Sequence, residues 1–93
     1  MYYVYVLQSK MCNYMYIGCS GDLKKRIAQH NQGRNPATRR YAPFRLVYYE
    51  AFLDRKDATH REYKLKHYGS AFGHLKKRLR NSLSVQTNKK GGV

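Results

Sequence analysis

Negative charge is what this 93-residue sequence has least of: five Asp and Glu stand against 19 Lys and Arg, for a formal charge of +14. Such an excess costs a folded chain self-repulsion and draws polyanions, so nucleic acid is the natural partner. An anionic membrane suits the pattern less well, because the basic residues are interleaved with strand and turn signals and do not form one long amphipathic face. Long apolar runs are absent too; none approaches the roughly 20 residues of a membrane span. The opening "MYYVYVLQSK" lacks the basic region, apolar run and small-residue cleavage site of an export signal, so a cytoplasmic protein is expected. Cysteine is sparse, with Cys12 and Cys19 in neither a CxxC nor a paired metal pattern, and both are expected as thiols in a reducing compartment. His60, His67 and His74 recur every seven residues. A Gly-Ser break interrupts them, and no cysteine stands at zinc spacing, so no metal site is expected there. The length leaves no room for a second domain, and no internal repeat is visible.

Strand and helix signals fill what remains. "YYVYVLQ" is a strand with Tyr3, Tyr5 and Leu7 on one face and Tyr2, Val4 and Val6 on the other. After the turn-like "SKMCN", "YMYIG" is its hairpin partner, with Tyr14 and Tyr16 sharing a face. Ser20 is placed to cap a helix over residues 21–32, with Asp22 in its first turn. "NQGRNPATRRYAP" is a loop carrying Arg34, Arg39 and Arg40, and "FRLVYYEAF" is a third strand with Phe44, Leu46, Tyr48 and Phe52 on one face. Asp54 opens a helix to about Tyr68, and Ser70 caps a last short helix with an apolar edge of Phe72, Leu75 and Leu79 among Lys76, Lys77, Arg78 and Arg80. Residues 1–80 thus predict an α+β domain, a small three-stranded antiparallel sheet flanked by helices in the order β-β-α-β-α-α. Residues 81–93 predict a flexible basic tail.

Several polar residues face inward. Leu23 and Ile27 set the core stripe of the first helix, with Arg26 and His30 on its border, while Lys24 and Lys25 point away. Arg26 also stands four residues from Asp22, the spacing of a helix ion pair worth about 0.3–0.5 kcal/mol. In the next helix Glu62 lies on the stripe that Ala58 and Leu65 define. Burying an unpaired carboxylate costs several kcal/mol, so Glu62 needs a cation: Arg26, Arg61 or a divalent metal. Ten tyrosines are mostly packing residues. Tyr5 and Tyr16 differ in lying on adjacent strands near Gly18, where the backbone can approach a ligand closely.

"YVY" at 3–5, "YIG" at 16–18, "DLKKRIAQH" and the downstream "REYKLK" together resemble the GIY-YIG nuclease superfamily, most closely its short single-domain bacterial and viral branch. The likeness runs over about residues 2–80. It implies a metal-dependent nuclease in which Tyr5 and Tyr16 match the motif tyrosines and Gly18 the motif glycine. It further implies that Arg26 takes the scissile phosphate, that His30 assists, and that Glu62 binds a single Mg²⁺ or Mn²⁺. Hydrolysis of a phosphodiester needs a deprotonated water in line, donors for the phosphoryl oxygens and stabilisation of the leaving alkoxide. Tyr5 is the preferred base with Tyr16 as its hydrogen-bonding partner, the reverse order being equally compatible with the likeness; the cationic surroundings are expected to favour the phenolate. Three positions depart from the pattern: "YVY" replaces "GIY", Cys19 stands where some repair members have a basic residue, and His74 stands where they have an asparagine.

Two functions follow: a DNA endonuclease in repair or processing, or a non-catalytic nucleic-acid-binding module on the same fold. In both, Lys24, Lys25, Arg34, Arg39, Arg40, Lys76, Lys77, Arg78 and Arg80 are expected on phosphates, with Tyr41 stacking on an unpaired base. No element suited to reading bases in a groove is evident, so recognition of nucleic-acid shape is expected, with a partner protein able to add specificity.

Overall fold

The computed structural model describes residues 1–83. Strands β1 (Tyr2–Ser9), β2 (Met15–Ser20) and β3 (Phe44–Phe52) form one antiparallel sheet in the order β2-β1-β3. Helix α1 (Leu23–Asn31) follows β2, a 3-10 turn (Arg39–Tyr41) precedes β3, and α2 (Arg55–His67) and α3 (Gly69–Arg78) follow it. The α+β architecture and element order are those expected.

Alternation along central strand β1 divides the core in two. Tyr5 and Leu7 face α1 and pack with Phe44, Leu23 and Ile27. Val4 and Val6 face the other way, with Ile17, Ala58, Leu65, Leu75 and Leu79. Fully burying one such aliphatic side chain contributes about 1.5–3 kcal/mol, which makes these stripes the source of helix docking. On β3 the expected single face is split. Val6 pairs with Tyr48 but Leu7 with Leu46, so Val47 is an extra, bulged residue. A bulge reverses the alternation, so Phe44 and Leu46 join the α1 side while Tyr48 and Phe52 join the α2 side.

The caps also differ in detail. Asp22, not Ser20, is the N-cap of α1, its carboxylate accepting from the Lys25 N–H at 3.1 Å. Ser20 supports it one step back, its hydroxyl accepting from the Asp22 N–H at 3.0 Å. Asp54 caps α2 as expected, whereas α3 begins at Gly69 with Tyr68 as its N-cap and no side-chain cap. After a turn at Leu79 helical backbone resumes over residues 80–83, where a flexible tail was expected from residue 81, and the Leu83 side chain packs on the core; the remainder of the expected tail lies outside the described residues.

Arg61 is committed elsewhere than Glu62. Its guanidinium donates to both carboxylate oxygens of Glu50 at 2.9–3.1 Å, tying α2 to β3, while the Tyr48 hydroxyl donates to Glu50 Oε2 at 2.6 Å.

A candidate active site on the tyrosine face

The β1–β2 register places Tyr5 opposite Gly18 and Leu7 opposite Tyr16. Directly paired residues of antiparallel strands share a face, so Tyr5 and Tyr16 are diagonal neighbours, their rings 6.3 Å apart. Gly18 makes this possible. A Cβ there would meet the Tyr5 hydroxyl, approach Tyr5 Cζ to 2.5 Å and Tyr16 Cε2 to 2.9 Å. The backbone at Gly18 does not have positive φ, so the need for glycine is one of space.

Helix α1 closes the site from above. Leu23, Ile27 and His30 stand at i, i+4 and i+7, the spacing that anchors a helix face. His30 is buried between the two tyrosine rings, 5.8 Å from Tyr5 and 4.9 Å from Tyr16 between centroids. Its Nε2 lies 2.9 Å from the Tyr5 hydroxyl and its Nδ1 3.0 Å from the Thr38 hydroxyl, and Tyr5, His30 and Thr38 are all enclosed. The partner of Tyr5 is therefore His30, where Tyr16 was expected.

Arg26 lies beside Tyr5, within hydrogen-bonding influence of its hydroxyl. Its other contact is a long one, Nη1 to Gln29 Oε1 at 3.4 Å, and its buried Nε has no partner among the described residues. The expected pairing with Asp22 does not form, because that carboxylate is occupied as the helix cap. Next to Arg26 opens a cleft of about 250 Å³, lined also by Gln29, His30, Arg34, Asn35 and Pro36.

Glu62 reaches this region from α2. It neither meets Arg26 nor Arg61; its carboxylate takes Lys66 Nζ at 3.1 Å, one turn along the helix. The Lys66 ammonium also stands 5.6 Å from the Tyr16 ring centre. Through Lys66 the Glu62 carboxylate thus borders the tyrosine cluster, and its charge is felt at Cys19 and, least among the influences there, at Tyr5.

These surroundings set the protonation states. Burial pushes the Tyr5 phenol up to about 12, outweighing the help its phenolate receives from Arg26. The expectation that the chain's positive charge would favour the phenolate is thus reversed, because Tyr5 is shut away from solvent and has carboxylate and phenol neighbours. Burial and the Arg26 charge push His30 down, keeping the imidazole neutral. Burial, then the Glu62 charge, push the Cys19 thiol up.

The basic residues divide between two surfaces. Lys24, Lys25 and Arg34 are exposed on or just after α1, Arg34 lining the cleft and Lys24 a separate groove with Tyr3 and Tyr49, and Arg39 and Arg40 are exposed on the 3-10 turn. Lys76, Lys77, Arg78 and Arg80 are exposed on or just after α3, which packs against the opposite face of the sheet. His74 is exposed on that same helix. Tyr41 has its ring stacked on Tyr14 at 3.9 Å and 10°, with Arg40 beside it at 5.5 Å, so one face expected for a base is already filled. Thr38 and Lys66 are the site residues that sequence reasoning missed. Lys66 was signalled by its i+4 spacing from Glu62, whereas Thr38 sits in a loop without periodicity and only tertiary folding brings it to His30.

Comparison with known proteins gives the family of the chain. The family profile described as the GIY-YIG catalytic domain matches residues 1–77. A UPF0213 protein of Clostridium perfringens is 42% identical over 67 residues, 71% of each chain. Another, from Lacticaseibacillus paracasei, is 40% identical over 67 residues, covering 71% of this chain and 74% of its own. The solution NMR structure of a UPF0213 protein from Bacillus halodurans is 33% identical, with a TM-score of 0.54 over 96% of both chains.

Proposed function

This chain belongs to the GIY-YIG family of nuclease domains, and on that premise we propose that it is a divalent-metal-dependent endonuclease hydrolysing DNA phosphodiester bonds in repair or processing, selecting its substrate by shape. The observation that carries the proposal is the convergence of Tyr5, Tyr16, Arg26 and His30 on one face of the sheet, with the Glu62 carboxylate at its border.

The donor set fits a single hard cation. Mg²⁺ is commonly held by one or two carboxylates, with water and substrate phosphate completing its shell. Glu62 supplies one carboxylate, partly exposed and engaged by Lys66, an exposed side chain that a cation can displace. Among the described residues no group of three or more His, Cys, Asp or Glu side chains gathers, so a cation here relies on water and phosphate for its other ligands. Bound at Glu62, Mg²⁺ or Mn²⁺ would supply Lewis acidity toward the phosphate and the leaving oxygen.

The protein's own groups do the rest. Arg26 is loosely tethered and lines the cleft; its fork of donors suits the non-bridging oxygens of a phosphate. As the guanidinium turns to the phosphate it uncovers the Tyr5 hydroxyl, which it neighbours in the free protein. Tyr5, held by His30, first loses its phenolic proton to solvent through the opened cleft and as phenolate takes the proton of the attacking water, while partly exposed Tyr16 lines the same approach. Lys24, Lys25 and Arg34 hold flanking phosphates, and the basic end of α3 holds a second segment of a branched or flapped substrate. A partner protein is free to add specificity to so small a domain.

The test is cleavage of labelled duplex, flap, branched and single-stranded DNAs with Mg²⁺ or Mn²⁺, comparing the protein with Glu62→Ala. Metal-dependent product from the wild type alone, with binding kept in both, supports the nuclease. Equal binding without product from either would reduce the protein to a binding module on the nuclease fold.

A further inference from the structure

The face of the sheet that carries α3 has an opening of its own. A groove of about 580 Å³ lies there, with Gln8 of β1 and Met15 of β2 on one side and Gly73, Lys76, Lys77 and Arg80 on the other. Those four stand at i, i+3, i+4 and i+7, the spacing of one helical face. Among the described residues no acid lines the groove.

Two observations mark it as more than a surface depression. Gln8 is 6% exposed, and its carboxamide is only half used. Nε2 donates to the Leu83 carbonyl at 3.4 Å, a long bond, while Oε1 is buried with no partner among the described residues. Flipping the amide is no remedy, since Oε1 would then face the Leu83 carbonyl oxygen. Its cross-strand neighbour Arg45 also has a buried, unpartnered Nε, so the two atoms do not satisfy each other. The second observation is Gly73. Inside a helix glycine destabilises relative to alanine, yet Gly73 does not have positive φ and a Cβ there would meet nothing within 4 Å. Neither backbone nor packing requires glycine; the missing side chain keeps the groove open.

We propose that this groove is a base-binding pocket, in which an unpaired adenine of a nucleic-acid strand gives its exocyclic amine to Gln8 Oε1 while the strand's phosphates rest on Lys76, Lys77 and Arg80. It rests on the nucleic-acid substrate of the reading above and specifies what the α3 cations hold. A buried acceptor calls for an N–H donor, the apolar Met15 and Leu83 for a flat ring, and the cations for an anion close by. A nucleotide joins all three. Glutamine pairs with adenine through its C=O and N–H together, and its terminal torsion is soft enough for the carboxamide to turn from the long Leu83 bond. Free phosphate would satisfy the cations alone, and an acidic peptide lacks the flat amine-bearing ring.

The experiment measures binding by fluorescence anisotropy with the full chain in EDTA, so that cleavage does not consume the probes. Three short single strands of equal charge are compared: oligodeoxyadenylate, the same strand with purine lacking the 6-amino group, and the abasic strand. The wild type should bind the adenine strand about fivefold more tightly than the purine strand, the scale of one hydrogen bond, and the abasic strand most weakly. Gln8→Met should erase the first difference and melt no lower than the wild type, because the acceptor it removes is unmet in the free protein. Gly73→Leu fills the groove, so all three strands should bind it like the abasic one, while its better helix propensity raises the melting temperature. Lys77→Gln should weaken all three alike and reduce the slope of log affinity against log salt by about 0.7.

Equal binding of the three strands by the wild type overturns the proposal, as does either Gln8→Met or Gly73→Leu with wild-type preferences. A Gln8→Met protein that melts lower and couples to Arg45→Met in a double-mutant cycle would make the carboxamide a structural partner instead. An acidic peptide that displaces the adenine strand from the wild type but does not bind Gly73→Leu would give the groove to a protein; both results also overturn the proposal. A wild type with the expected preferences that makes no product with Mg²⁺ or Mn²⁺ refutes the nuclease reading and leaves the pocket standing. Cleavage without base preference does the reverse.

Discussion

Gly18→Ala is the sharpest single perturbation of this fold, because it adds one carbon and no backbone strain. That carbon falls 2.5 Å from Tyr5 Cζ and 2.9 Å from Tyr16 Cε2, where carbon atoms ordinarily rest at about 3.5–4.0 Å. The Tyr5 ring must retreat by about 1 Å, yet it is fully enclosed, and overpacking of this kind costs about 1–3 kcal/mol. For a domain of this size each kcal/mol lowers the melting temperature by about 4–8 °C. The same displacement strains the 2.9 Å bond from Tyr5 to His30, and a misplacement of about 1 Å in a catalytic group costs about 100-fold in rate. Urea and thermal unfolding measure the first effect and single-turnover cleavage the second. Gly21→Ala is the control: its Cβ would meet only Tyr2 carbons at 3.7 Å, an ordinary contact. Because Tyr5 is the group displaced, Tyr5→Phe and Gly18→Ala should not be additive, and a double-mutant cycle will show coupling. A Gly18→Ala protein that melts and cleaves like Gly21→Ala would refute the argument that glycine is required here for space.

Three further outcomes are expected. With the Tyr5 phenol raised to about 12, a mechanism that needs its phenolate should speed up about tenfold per pH unit between about pH 7 and 9; Tyr5→Phe should be slow and flat, and a flat wild-type profile would remove Tyr5 as the base. At Glu50, burial works to raise the pKa, but the Arg61 and Tyr48 hydrogen bonds prevail and hold it below the usual carboxylate range. Its contribution to stability is present above the ordinary glutamate pKa and lost as pH falls through the depressed folded value. Arg61→Met should cost about 1–2 kcal/mol at neutral pH and flatten acid destabilisation, measured by urea unfolding against pH; an unchanged acid limb would refute this. Asp22→Ala removes the α1 cap and should cost about 1 kcal/mol, visible as a lower melting temperature, whereas Ser20→Ala should cost less because that hydroxyl bonds only the cap residue's backbone.

The opposite fates of Glu50 and Glu62 show where pattern alone is insufficient. Both were visible as acids among cations, but spacing within a helix names neighbours only on that helix. Lys66 was within that horizon at i+4, whereas Arg61, though adjacent in sequence, points elsewhere and is drawn across to β3 by a two-pronged bond to Glu50. The β3 bulge has a similar cause: the sequence "FRLVYYEAF" alternates plausibly in either register, and only pairing with β1 reveals that Val47 is the extra residue.

Composition and periodicity by themselves determined the charge balance, the α+β order and the two stripes of β1, while the grouping of Tyr5, Tyr16, Gly18, Arg26, His30 and Glu62 as one site rested on the resemblance to the GIY-YIG family. The element order and the stripes follow from local rules, since alternation and helical spacing act over a few residues. Tertiary structure alone decided that Tyr5 bonds to His30, that Thr38 backs His30 from a distant loop, that Tyr41 stacks on Tyr14, and that α3 carries its cations to the opposite face. Each depends on long-range packing and on which buried polar group must find a partner, a requirement set only once the chain has closed around it.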